Sequence, residues 1–134
     1  MVNYLCGWLA SAGAFLALDA LWLSQMTPRF YRPAISHLLA EKANLGAAVA
    51  FYLLYITGIV VLAVAPAMEK GGLGKAALMG ALVGLMAYGT YDLTNHATLK
   101  DWPLRLTLVD LAWGTVLTSF AASIGFLATR AFSS

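Results

Sequence analysis

Four stretches of this chain, about residues 3–26, 43–67, 73–99 and 104–129, are long and predominantly apolar. Each exceeds the ~20 residues that span roughly 30 Å of hydrocarbon. In lipid every backbone N–H and C=O must be paired within the segment, which leaves the helix as the available form. The connections are short, so sequence neighbours should pack antiparallel. The expected fold class is all-α: a polytopic integral membrane protein, an antiparallel four-transmembrane-helix bundle forming one domain over 1–134, with both termini on one side. Composition agrees, since only 10% of residues are charged, against about 25% in soluble domains. A formal charge of +2, carried by scattered basic residues, offers no track for a phosphate backbone and argues against nucleic acid as a partner. The lone Cys6 permits no internal disulfide and no cysteine-based metal site; it reads as an apolar filler. The apolar run from Tyr4 to Met26 is too long for a signal-peptide core and lacks a basic leader, so it is expected to be a permanent span.

The segments differ in character. The first is expected to stop at Thr27-Pro28, the second at Pro66, and the fourth to open at Trp102-Pro103. The connection 27–42 is amphipathic. Within it Ala34 to Lys42 suggests either an interfacial helix with Ile35, Leu38 and Leu39 toward lipid, or an extension of the second span. Arg29, Phe30, Tyr31 and Arg32 have the composition of interface anchors, or of a lid over a polar core. Trp8 and Trp102 fit an aromatic belt. Segment three carries Gly80 and Gly84 in a GxxxG spacing among alanines, a packing face that also allows a homodimer. Arg29, Arg32, Lys42, Lys100 and Arg105 lie on one side, and Lys70, Lys75 and Arg130 on the other. The loops 27–42 and 100–103 are therefore expected to be cytoplasmic.

The stretch Tyr88 to Leu99 breaks the apolar pattern. It places a carboxylate, an amide, an imidazole, two phenols and three hydroxyls where lipid makes polar groups expensive. On a helix Asp92, Asn95 and His96 fall at i, i+3 and i+4, with Tyr88 one turn earlier on the same face. Asp19 and Trp22 share an i, i+3 spacing that Asp110 and Trp113 repeat. Counting from the nearest loop at about 1.5 Å per residue places Asp19, Asp92 and Asp110 all ~10–12 Å inside the same membrane face. Three ionised carboxylates cannot share a low-dielectric layer unaided. At least one is expected to be neutral at pH 7, or cations such as His96, Lys100 or Arg105 compensate them. The expected ligand-binding set is Asp19, Trp22, Tyr88, Asp92, Asn95, His96, Asp110 and Trp113. Asp92, Asp110, Asp19 and His96 are the candidates for acid–base chemistry. No metal site is expected: there is no HExxH, no second intramembrane histidine and no cysteine set.

The run Tyr91-Asp92-Leu93-Thr94-Asn95, then Ala97-Thr98-Leu99, Trp102 and Asp110-x-x-Trp113-Gly114, together with Asp19-x-x-Trp22, resembles an uncharacterised bacterial family. It is a domain-of-unknown-function family of small four-helix inner-membrane proteins. The resemblance covers nearly the whole chain. It implies a bacterial inner-membrane location and supplies no activity, substrate or cofactor.

Three functions fit these residues. The first is a bilayer protein that binds a small amphiphile, lipid or cofactor in an acidic polar core, with proton uptake as a possible accompaniment. The second is an intramembrane acid–base enzyme, of isomerase or cyclase type, acting on a lipid or isoprenoid. The third is an accessory subunit whose aspartates are helix glue, such bonds contributing about 0.6–2 kcal/mol each. They diverge on whether the acids share a pocket or face outward.

Overall fold

The computed structural model describes residues 1–133. Four helices are long and apolar enough to cross a membrane: α1 Val2–Ile35, α2 Leu45–Glu69, α3 Gly72–Thr98 and α4 Leu104–Ala131. They form the expected antiparallel bundle. α4 is its centre, packing most extensively against α3 on one side and α1 on the other.

Small residues explain both close pairs. On α1 the buried positions are Gly7, Ser11, Phe15 and Asp19, one per turn; Gly7, Ser11 and Asp19 meet α4, while the Phe15 ring packs edge-on against Tyr52 and Tyr55 of α2. A Cβ at Gly7 would stand 2.9 Å from the Gly125 carbonyl oxygen, and the Ser11 hydroxyl donates to the Ala121 carbonyl at 2.8 Å. Gly80 and Gly84 do the same for α3: a Cβ on Gly80 would lie 2.7 Å from that of Ala122, and one on Gly84 would meet the Gly114 backbone and Thr118. That GxxxG face is therefore filled within the chain by α4 and leaves no surface for the homodimer the sequence allowed there. α2 is held chiefly through its second half, where Ile56, Ile59, Val60, Ala63 and Val64 join the core. Its first half exposes Val49, Leu53 and Leu54.

Two prolines expected to stop helices do not. α1 runs past Pro28 through a widened turn at Thr27–Tyr31, in which the Arg32 N–H reaches the Thr27 carbonyl five residues back. α2 passes Pro66 just after a similar turn at Val60–Val64, where the Ala65 N–H reaches Val60. Such π-turns let a helix continue past a proline by adjusting the hydrogen-bond ladder locally. At 34 residues α1 is about 50 Å long by its ~1.5 Å rise, well beyond the hydrocarbon thickness.

The connection is accordingly shorter than expected. No interfacial helix covers 34–42, and α2 does not extend back over it; the exposed segment 36–44 ends at Asn44, whose side chain caps α2 by accepting from the Ala47 N–H. Ile35 does not face lipid but is buried with Leu106 and Trp102. Trp102 is no belt residue: it is 7% exposed and donates its indole N–H to Thr107 at 2.9 Å. Between α2 and α3, Gly71 at φ +105° and Gly72 at φ +62° make a left-handed turn that a side chain would strain.

Candidate functional site

The polar residues gather where α1, α3 and α4 approach the loops 36–44 and 99–103. Asp19, 7% exposed, is fully engaged: its carboxylate accepts from the Tyr52 hydroxyl at 2.9 Å and from the Trp113 indole at 3.3 Å. Trp113 stacks on Trp22, centroids 4.2 Å apart and planes within 7°. The Trp22 indole N–H donates to the Tyr31 hydroxyl at 3.0 Å, and that hydroxyl donates to Asp110 at 2.7 Å. The two Asp-x-x-Trp strings of α1 and α4 are thus crossed. Each indole reaches toward the acid of the other helix, directly in one case and through Tyr31 in the other.

Asp92 is different. It is 0% exposed, and neither carboxylate oxygen has a hydrogen-bond partner. The neighbouring ionisable group is Asp110. Both acids line a cavity of about 240 Å³, walled by Leu23, Thr27, Tyr31, Ile35, Leu39, Tyr91 and Leu106. The cavity has apolar walls and a paired-acid floor. A carboxylate buried without a partner is costly, on the order of several kcal/mol if ionised. A donor-rich or cationic group in the cavity would remove that cost.

The structure brings part of the sequence-predicted set together. Asp19, Trp22, Asp110 and Trp113 are joined by contacts, with Asp92 beside Asp110. Tyr88 lies one turn from Asp92, its ring filling the space over Gly114. Asn95 is half-buried and His96 exposed, and neither joins the network among the described residues. The face shared by Asp92, Asn95 and His96 leaves the bundle as α3 rises toward its end. Arg105 does not compensate the acids either; its guanidinium lies 5.8 Å from the Phe30 ring centroid. No group of three histidine, cysteine, aspartate or glutamate side chains converges as a metal site among the described residues.

Two partners carry no mark of spacing. Tyr31 belongs to the stretch read as interface anchors or as a lid over the polar core, and the widened turn carries it back over Asp110. Tyr52 has no spacing relation to Asp19, and only the packing of α2 on α1 brings them together. The threonines of the polar stretch, by contrast, are satisfied locally. Thr90 donates to Met86 and Thr98 to Thr94, each i to i−4, and Thr94 to Thr90. They face outward without orphaned hydroxyls, so Asp92 alone stands out.

No curated protein and no solved structure matches the chain. A family described as "Predicted membrane protein (DUF2177)" matches residues 4–127, almost the full length. A four-span helical membrane protein with its polar residues drawn to one end of the bundle therefore belongs to the DUF2177 family.

Proposed function

We propose that the protein binds a small amphiphile whose polar end is a hydrogen-bond donor or a cation, held by Asp92 and Asp110. The observation that carries this is the fully buried Asp92, whose two oxygens have no partner, at the edge of a cavity that it lines together with Asp110 and that is large enough for a headgroup. Asp19, tied by Tyr52 and Trp113, holds the wall rather than the ligand. We further place the protein in a bacterial inner membrane, with segments 36–44 and 99–103 cytoplasmic on the charge bias of the loops.

The test uses purified protein in a nonionic detergent and three probes with one tail: dodecylamine, dodecanol and dodecanoate. Dodecylamine should raise the melting temperature and appear as a single adduct in native mass spectrometry, with dodecanoate inert. Asp92→Asn should abolish both effects while folding at least as stably as wild type. Equal shifts for amine and carboxylate, or an undiminished shift in Asp92→Asn, would remove the acids from the binding role.

A further inference from the structure

We infer that the ligand enters sideways from the lipid and lays one alkyl chain in the groove between α2 and α3. The inference rests on the assignment of Asp92 and Asp110 as the headgroup site. Three adjoining spaces carry it. The cavity over Asp92 shares Tyr91 and Asp110 with a second space of about 320 Å³, whose other walls include Phe51 and Ala87. That space shares Phe51 and Ala87 with a third, of about 360 Å³, which continues past Tyr55, Gly58, Val83 and Met86. Carboxylates at one end and an apolar track leading away from them match a single-chain cationic amphiphile.

The direction of the track also fits. α2 descends from the 36–44 side through Phe51 to Gly58, while α3 climbs through Val83 to Tyr91. A chain leaving Asp110 along it points toward the membrane centre, as the tail of a lipid in that leaflet does, so no inversion is needed on entry. From Tyr91 to Val83 the track runs ~12 Å at about 1.5 Å per residue. Its long side is open: Phe51 is 46% and Met86 64% exposed. Of the hydroxyls along it, Thr90 is used on the Met86 carbonyl at 2.7 Å and Tyr55 on Thr118 at 2.8 Å, while Tyr88 lines the middle space. Tyr91 stands at the junction of headgroup cavity and groove.

The experiment uses the full chain in phosphatidylcholine vesicles and a dodecylamine carrying a mid-chain diazirine, with adducts located by peptide mass spectrometry. Adducts are expected on the segments holding Phe51 to Leu54 and Val83 to Met86. They should be competed by dodecylamine and fall about tenfold, equivalent to roughly 1.4 kcal/mol, in Gly58→Leu. That variant directs a side chain into the groove from a position where a Cβ meets nothing within 4 Å. Competed adducts on Leu23 or Leu39 instead would overturn the lateral route and leave the headgroup site standing. Groove adducts that resist competition mark ordinary annular lipid and also overturn it. Labelling that is the same in Asp92→Asn and wild type, at every position, overturns the headgroup assignment itself.

Discussion

Asp19 and Asp92 are the same residue type at the same expected depth, yet they should respond oppositely to mutation. Asp19→Ala removes the acceptor for both Tyr52 and Trp113 and leaves two half-buried donors unpaired. A loss of about 1–3 kcal/mol is expected by thermal or denaturant unfolding in detergent. Asp92→Leu removes a buried acid that has no partner, and stability should rise by about 1–3 kcal/mol in the same assay. A fall in both variants would make Asp92 helix glue. Tyr31→Phe breaks the hydrogen-bonded relay from Trp22 to Asp110, at a cost of about 0.6–2 kcal/mol. The carboxylates were legible in the sequence because lipid makes them conspicuous. Their phenol partners were not, since Tyr31 and Tyr52 carry no mark that separates a network phenol from an interface phenol. Nor did helical spacing say that His96 lies outside, because a shared face buries a residue only where the neighbouring helix is still alongside.

Among the helices, the tight α3–α4 contact and the loose first half of α2 predict different tolerance to added volume. Gly84→Ala forces a methyl against the Gly114 backbone and Thr118, neither of which is a flexible tip. It should destabilise by about 1–3 kcal/mol, the usual cost of overpacking. Gly13→Ala, with nothing within 4 Å, should stabilise α1 by roughly 0.5–1 kcal/mol. Parallel melting curves of the two variants check both signs. The spans themselves were plain from hydrophobicity, with ends displaced by a few residues. The exception was α1, whose continuation past Pro28 rests on a π-turn. That turn depends on packing against Leu106 and Trp102, far along the chain, and no local pattern announces it.

For the molecule as a whole, the bundle puts segments 36–44 and 99–103 together and the turn at Lys70 opposite. In a Cys6→Ala background, His37→Cys and Lys100→Cys should react with an impermeant maleimide from one face of oriented vesicles and Lys70→Cys from the other. All three reacting from one face would refute the topology. The number of spans and their antiparallel order followed from the sequence, but not which helix lies at the centre, since every span is similarly apolar. That α4 is the hub has a consequence for how the chain is made. α1 is the first helix to leave the ribosome and α4 the last of the four, and they are each other's partners through Gly7, Ser11 and Asp19. Until α4 arrives, the serine of α1 and the glycine stripe of α3 have nothing to pack on, and the aspartate of α1 has Tyr52 of α2 but not the Trp113 indole. Assembly therefore cannot proceed helix by helix with synthesis; it must wait for the final span, and a chain stalled at Thr98 would display an intramembrane aspartate to whatever surveys unfinished proteins.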